Sequence, residues 1–255
     1  KSSMDKNIQF QHFALTQEVR AEIKKQSPMC LWMTGFSGAG KSTLANALEL
    51  ELNRQGKHTY ILDGDNLRHG LNSDLGFSEA DRNENVRRAA EAAQLMVDAG
   101  LIVIVGLISP FTKERDWARS LFKPEQFKEI YISTSLFECE KRDVKGLYEK
   151  ARRGEVKDFT GIDSPYEAPQ NPEVIIDTQN KTIEECVHTI LQKVNLIWTD
   201  VSLGYGGRAC DSKRNRGEIY TFDHHSLVYN FNQILNPDLI AVRHKDIQLV
   251  LEEKT

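Results

Sequence analysis

The sequence is poor in cysteine and has no long apolar run. Its 255 residues contain four cysteines, at positions 30, 139, 186 and 210, and no Cys-x-x-Cys pair. This spacing argues against a zinc knuckle and against a disulfide framework. The longest apolar run, residues 101–108, is far shorter than the ~20 residues that cross a bilayer. The first ten residues hold no apolar signal-peptide core, so we expect a protein of the reducing cytoplasm.

The sequence also lacks an excess of positive charge. Lys and Arg number 33 against 37 Asp and Glu, which gives a formal net charge of -4. We therefore expect neither a nucleic-acid nor a membrane partner, and an anionic small substrate would need a local basic pocket. Hydrophobic residues make up 40% and charged residues 27%, as in ordinary globular proteins.

Short apolar runs alternate with longer amphipathic stretches. This alternation predicts an α/β fold in which helices flank a parallel sheet. The predicted strands are residues 29–33, 59–62, 101–105, 130–132 and 174–176, and the predicted helices are residues 41–54, 81–99 and 183–194.

Changes in composition divide the chain. We predict an N-terminal segment over residues 1–27, a main domain over 28–196 and a small C-terminal extension of unknown role over 197–255. Within the main domain, residues 142–171 are rich in basic residues, glycine and proline. This composition is too polar for the hydrophobic core, so we interpret the segment as a lid. Residues 204–209 fit a dinucleotide-binding pattern only loosely, and we interpret them as a loop.

A glycine-rich motif follows the first predicted strand and opens the first predicted helix. Residues 35–42, GFSGAGKS, fit the phosphate-loop pattern G-x-x-x-x-G-K-[ST] in the expected context. Glycines let successive backbone N–H groups converge on phosphate oxygens, and the helix N-terminus adds positive charge. Lys41 would bridge the outer phosphates and Ser42 would offer its hydroxyl to Mg²⁺. The predicted ATP-binding residues of the loop are Gly35, Ser37, Gly38, Ala39, Gly40, Lys41, Ser42 and Thr43.

Two carboxylates follow the second predicted strand. The strand over residues 101–105 ends without an acid, whereas Asp63 and Asp65 come directly after residues 59–62. Ligands of parallel sheets bind at the carboxyl ends of strands. One carboxylate could orient metal-bound water while the other accepts a proton from an attacking hydroxyl. The alternative is a simple Asp-Gly turn.

A second cluster suggests a phosphoryl acceptor and hence a kinase. No motif for aligning a hydrolytic water is evident. Arginine recognises phosphate or sulfate, and aromatic rings stack on bases. The cluster consists of Arg68, Phe77, Arg82, Asn85 and Arg88. Taken singly, these residues could equally form surface ion pairs and a core contact.

Several motifs together resemble the adenylyl-sulfate kinase family. They are GFSGAGKST, DGDNLRHGLNSDLGFSEADRNENVRR, GLISPF, KRDVKGLYEKAR and DFTGIDSPYEAP, in family order. The resemblance implies a phosphate-loop kinase with a five-stranded parallel core, commonly a homodimer. It also implies transfer of the γ-phosphate of ATP to the 3′-hydroxyl of adenylyl sulfate, with Mg²⁺.

The resemblance also assigns roles. It implies that Asp65 is the catalytic carboxylate, that Asp63 acts through Mg²⁺ together with Ser42, and that Lys41 assists the transfer. Lys145 and Arg142 would approach the phosphates from the lid. The acceptor site implied by the family motifs consists of Arg68, Phe77, Arg82, Asn85, Ile108, Ser109, Lys145 and Phe159.

Three positions depart mildly from the family pattern, namely Phe36, Phe111 and Val144, and none of them removes a polar group. Two other functions stay open. One is a kinase of the same fold that acts on another nucleotide-linked acceptor. The other is a non-catalytic protein that binds a nucleotide and serves as a scaffold.

Overall fold

A five-stranded parallel sheet forms the centre of the part of the chain that the structure describes. The computed structural model describes Gln9 and residues 11–196. The spatial order of the strands is β2-β3-β1-β4-β5, and every pairing is parallel. The strands are β1 Met29–Thr34, β2 Thr59–Asp63, β3 Ile102–Gly106, β4 Phe127–Ile132 and β5 Val174–Ile176.

Eight α-helices flank the sheet within the described residues. They are α1 Gln17–Lys24, α2 Lys41–Arg54, α3 Gly64–Arg68, α4 Glu79–Asp98, α5 Thr112–Ser120, α6 Leu136–Arg142, α7 Leu147–Arg152 and α8 Ile183–Lys193. A short 3₁₀ helix, Pro124–Gln126, precedes β4. No helix in this part of the chain is long and apolar enough to cross a membrane.

The sheet separates two apolar layers because successive side chains of a strand point to opposite faces. All six residues of β1 are buried. Leu31 and Met33 belong to the cluster that includes α2 and α8, whereas Cys30 and Trp32 belong to the cluster that includes α4. Burial on both faces explains why the central strands are continuous apolar runs in the sequence.

The predicted α/β fold and its five strands are confirmed, with ends that differ by at most three residues. The three predicted helices correspond to α2, α4 and α8. Five helices were not predicted, namely α1, α3, α5, α6 and α7. These helices have five to nine residues, too few turns to produce a clear apolar period.

The segment over residues 142–171 contributes to the core, contrary to the expectation that it is too polar for one. It contains α7, whose Tyr148 and Ala151 are buried. The aromatic ring of Tyr148 packs edge-on against Phe159 at a centroid distance of 5.0 Å. The charged residues of this helix lie on its exposed side. The average composition of the segment therefore gave no indication of its buried side.

Cys30, Cys139 and Cys186 are free and buried. Cys210 and the whole predicted extension over residues 197–255 lie outside the described residues, as do nearly all of the first ten. The proposed boundaries of the chain's three parts therefore stay predictions.

Candidate active site

The predicted site residues gather at the carboxyl ends of the strands. The ends of β1, β2 and β3 are level there, since Gly106 pairs in register with both Met33 and Asp63. A cleft of about 360 Å³ opens above this edge. The predicted residues that line it are Ser37, Gly38, Gly40, Lys41, Ser42, Thr43, Asp63, Asp65, Arg68, Phe77, Arg82, Asn85, Ile108, Ser109, Lys145 and Phe159.

The phosphate loop connects β1 to α2 and needs its glycines for two reasons. A Cβ atom at Gly35 would lie 2.6 Å from the carbonyl oxygen of Ile132, so only glycine fits beside β4. Gly40 has φ +105° and caps the N-terminus of α2 in a left-handed conformation. The loop therefore delivers the chain to the start of a 14-residue helix, where backbone N–H groups and the helix dipole favour an anion.

Lys41 folds over the loop from which it comes. Its Nζ donates to the carbonyl oxygens of Gly35 at 2.8 Å and Phe36 at 2.7 Å. Burial of the ammonium lowers the pKa of Lys41 to about 8. The side chain is thus a cation at neutral pH, held at the surface where the loop's N–H groups would meet phosphate.

Asp63 joins β2, α2 and α3 through one carboxylate. Its Oδ2 accepts a hydrogen bond from Ser42 Oγ at 2.6 Å. Its Oδ1 accepts from the backbone N–H groups of Asp65 and Asn66 and so caps the N-terminus of α3. This pairing places two hard oxygen donors side by side, a donor set that suits Mg²⁺.

Asp65 is exposed to the cleft and lies opposite the lid. Its carboxylate forms an ion pair with the ammonium of Lys145, which comes from the turn before α7. The two predicted carboxylates therefore have different surroundings. Asp63 bonds to Ser42 and caps a helix. Asp65 is exposed and bonds across the cleft to Lys145, so its carboxylate can face a bound hydroxyl.

Two arginines and a phenylalanine predicted to bind the acceptor lie together in the cleft. Arg68 donates to the carbonyl oxygens of Leu75 and Gly76, and its guanidinium lies 4.5 Å from the ring centroid of Phe77. Arg82 donates through Nε to the carbonyl oxygen of Phe77 at 2.9 Å. The ring of Phe77 is 71% exposed and is available for stacking.

Arg88, which the sequence grouped with this cluster, has another role. It forms ion pairs with Asp74 and Glu84 and donates to the carbonyl oxygen of Leu71. It does not line the cleft. The prediction that Arg88 takes part in the acceptor cluster is therefore wrong, and the residue ties the turn over 69–75 to α4.

Ser109 lies on the loop that follows β3 and is buried, with 2% of its surface exposed. It adopts the left-handed region, φ +38°. Its Oγ accepts a hydrogen bond from Trp32 Nε1 at 3.1 Å. Thr34 Oγ1 donates to the carbonyl oxygen of Ile108 at 2.6 Å, so β1 fixes this loop from below.

Sequence reasoning missed a buried arginine that supports the same loop. Arg115 donates to the carbonyl oxygens of Ser109 at 2.8 Å and Glu167 at 2.7 Å, and pairs with Glu129 at 2.8 Å. It therefore joins α5, β4, the loop after β3 and the end of the predicted lid. Its signal in the sequence is only an arginine on a short, strongly polar helix, which predicts a surface position.

The segment predicted to be a lid is attached to the phosphate loop. Tyr148 donates its hydroxyl to the carbonyl oxygen of Ser37 at 2.8 Å. Tyr148 belongs to the same motif as Arg142 and Lys145, but sequence reasoning took only those two residues from it.

Three predicted ATP-binding residues do not line the cleft. Gly35 offers its carbonyl to Lys41, and the buried Ala39 offers its carbonyl to Thr178 Oγ1 at 3.0 Å. Arg142 bonds to Glu138 and to Thr178 Oγ1 at 2.8 Å. It therefore reaches the loop only through Thr178, and its direct contact with ATP stays a prediction.

The comparisons with known proteins agree on one family. The family model described as adenylylsulphate kinase matches residues 27–177. The adenylyl-sulfate kinase of Marinobacter nauticus is 53% identical over 185 residues, which are 72% of this chain and 93% of that protein. The bifunctional enzyme NodQ of a Rhizobium species is 54% identical over 189 residues, which are 74% of this chain and 29% of that longer protein.

Solved structures agree in fold and sequence. The Mycobacterium tuberculosis APS kinase CysC, solved in complex with AMPPNP and APS, has a TM-score of 0.64 and 46% identity. The similarity covers 66% of this chain and 98% of that one. A hexameric APS kinase from Thiobacillus denitrificans has a TM-score of 0.50 and 34% identity, over 70% of this chain and 32% of that one.

Proposed function

The chain belongs to the adenylyl-sulfate kinase family, and we propose that it transfers the γ-phosphate of ATP to the 3′-hydroxyl of adenylyl sulfate. The products are 3′-phosphoadenylyl sulfate and ADP. The observation that carries this function is a single cleft with a phosphate loop on one side and an arginine, asparagine and phenylalanine cluster on the other.

The phosphate loop binds ATP in this proposal. Its N–H groups and Lys41 surround the phosphates, and the proximity of Ser42 Oγ to Asp63 Oδ2, at 2.6 Å, supports a magnesium site at these two residues. Bound Mg²⁺ would neutralise charge on the phosphates. Among the described residues no group of three or more His, Cys, Asp or Glu side chains could hold a metal.

The opposite side binds adenylyl sulfate. Arg68, Arg82 and Asn85 bind its phosphosulfate, because guanidinium and amide N–H groups suit such oxygens. Phe77 and Phe159 hold the adenine ring between them. The loop residues Ile108 and Ser109 line this side, and the Trp32 contact of Ser109 favours a binding role over a covalent one.

Asp65 is the catalytic carboxylate of the proposal. Its oxygen accepts the proton of the 3′-hydroxyl as that hydroxyl oxygen bonds to the γ-phosphorus, and the bond to the β–γ bridging oxygen breaks to release ADP. Lys145, which pairs with Asp65, is close enough to exchange this partner for the transferring phosphate. Arg142 supports the nucleotide side through Thr178.

We further propose a cytoplasmic homodimer, on the strength of the family resemblance. Light scattering on the purified full chain tests the assembly, and a hexamer such as that of the Thiobacillus relative would contradict it.

The reaction is tested by measuring ADP release from Mg-ATP with adenylyl sulfate, without an acceptor, and with a panel of other nucleotides. Selective stimulation by adenylyl sulfate is expected. Stronger stimulation by another nucleotide-linked acceptor would mean that the same fold serves a different substrate. Binding of ATP without transfer to any acceptor would indicate a scaffold protein.

A further inference from the structure

Two asparagine side chains meet behind the acceptor side of the cleft. Asn85, on α4, lines the cleft and is 7% exposed, whereas Asn72, in the turn after α3, is fully buried. Asn72 Nδ2 donates to Asn85 Oδ1 at 2.9 Å. The pair connects a residue proposed to touch the acceptor with one that cannot reach it.

The backbone of Asn72 is fixed on both sides. Its N–H donates to the carbonyl oxygen of Leu67 at 2.8 Å, and its carbonyl accepts from the N–H of Leu75 at 3.1 Å. Arg88 ties the same turn to α4 through Leu71 and Asp74. The turn therefore fixes the backbone from which the Asn72 side chain extends.

The bond selects one orientation of the Asn85 amide. An amide side chain has an acceptor end and a donor end. Asn72 bonds to the acceptor end of the Asn85 amide, its Oδ1. The donor end, Asn85 Nδ2, makes no hydrogen bond within residues 11–196. A half-turn of the Asn85 amide would bring two NH₂ groups together and would put its oxygen toward the cleft. An oxygen there would repel an anion.

Asn72 is a poor choice for stability alone. Its Oδ1 is buried and has no hydrogen-bond partner in the described part of the chain. A buried polar atom without a partner destabilises the folded state. A leucine has nearly the same shape and would remove that oxygen, so what the asparagine supplies is its hydrogen bond to Asn85.

We propose that Asn72 is a positioning residue for the acceptor. It holds the Asn85 amide with its NH₂ group toward the cleft, and so makes Asn85 a donor to the anionic phosphosulfate group. This inference rests on the proposed function, because it requires an anionic acceptor on that side. Asn72 touches no substrate and acts only through Asn85.

The first test uses Asn72→Leu in the full chain. This change removes the unsatisfied oxygen of Asn72 but also removes the donor to Asn85 Oδ1, so Tm should change little. The KM for adenylyl sulfate should rise about tenfold, because the donor orientation is no longer enforced. The KM for ATP should change by less than about twofold.

The second test uses Asn72→Asp and a pH profile. A protonated aspartic acid can donate to Asn85 Oδ1 as Asn72 does, whereas an ionised one can only accept. The ratio of the variant's KM for adenylyl sulfate to that of the native enzyme should therefore increase from about pH 6 to about pH 9. The corresponding ratio for ATP should stay constant.

Arg88→Met is the matched control, since it loosens the same turn and leaves the asparagine pair intact. It should lower Tm and leave the KM for adenylyl sulfate within about twofold of the native value. An unchanged KM in both Asn72 variants, or an equal rise in Arg88→Met, would overturn the role of Asn72. Failure of adenylyl sulfate to stimulate the native enzyme would instead overturn the proposed function.

Discussion

The two sides of the cleft are built in different ways. The nucleotide side is one continuous stretch, residues 35–43, and its lysine bonds to carbonyls of the same stretch. The acceptor side comes from residues 65–85, 106–110 and 144–160. It is supported by side chains outside the cleft, among them Trp32, Asn72 and Arg115.

This difference reflects what each side binds. Phosphates can be held by backbone N–H groups and one cation, which a short glycine-rich sequence supplies. An acceptor with a base and a phosphosulfate needs side chains from several directions, and each must be fixed by the fold. A substitution on one side of the cleft should therefore change the kinetic constants of one substrate and not of the other. Measuring both sets of constants tests this difference between the sides.

The largest effect should come from Asp65. Asp65→Ala removes the proton acceptor on the acceptor side, so kcat should fall by about 10²–10⁴-fold. The Kd for ATP, measured by calorimetry, should change by less than about twofold because Asp65 contacts no loop residue that binds phosphate. Asp74→Ala, an exposed change outside the cleft, is the control. Unchanged turnover would remove Asp65 from its role.

Arg115 should give the next largest effect. Arg115→Met leaves the buried Glu129 with the longer ion pair to Arg119, at 3.4 Å, and should lower the free energy of unfolding by about 3 kcal/mol. It should also raise the KM for adenylyl sulfate, because Ser109 and Glu167 lose a shared donor. Denaturant unfolding and steady-state kinetics measure the two effects.

The double variant of Arg115→Met with Glu129→Leu separates those effects. It should recover most of the stability, since no unpaired charge is left, while the KM for adenylyl sulfate stays high. Recovery of both quantities together would show that Arg115 serves stability alone.

Phe77 should have an intermediate effect on the acceptor alone. Base–aromatic stacking contributes about 1–3 kcal/mol, so Phe77→Ala should raise the KM for adenylyl sulfate by about 5–150-fold. Because the ring is exposed, Tm should hardly change. Phe159→Ala should raise the same KM but also lower Tm, since its ring packs on Tyr148. An equal rise in the KM for ATP in either variant would contradict the separation of the cleft into two sides.

The smallest and most gradual effect should be on the nucleotide side. Burial lowers the pKa of Lys41 to about 8, so the binding cation is present below that pH and is lost above it. The kcat/KM for ATP should therefore fall about tenfold per pH unit above about pH 8. Lys41→Arg, which stays charged, should abolish this decline even if it lowers the rate. A decline that persists in that variant would assign the titration to another group.

The nucleotide side could be predicted from sequence because its chemistry is local. The motif containing Lys41 and Ser42 fixes strand, turn and helix at once, and the structure has them in that order. Residue types alone predicted one part of the acceptor side, the cluster over residues 68–85. The family resemblance added Ile108, Ser109 and Phe159, which lie in two other segments. The local sequence does not distinguish Arg88 from Arg82. The ion pair between Arg88 and Asp74 is evident only from the fold.

The supporting residues could not be predicted at all. Asn72 lies in a polar turn and Arg115 on a polar helix, so each predicts exposure. Both are buried by contacts from elements distant in sequence. Their importance follows from tertiary contacts, which a local pattern does not contain.

The central claim is that the two sides of the cleft pass a phosphoryl group directly from ATP to the acceptor. An acid-quenched single turnover with γ-labelled ATP and adenylyl sulfate tests this most directly. We expect the label to move to the 3′-position of the acceptor in step with ADP formation, and no label to stay on the protein. Label on Ser109 that later moves to the acceptor, or label released as inorganic phosphate, would contradict it.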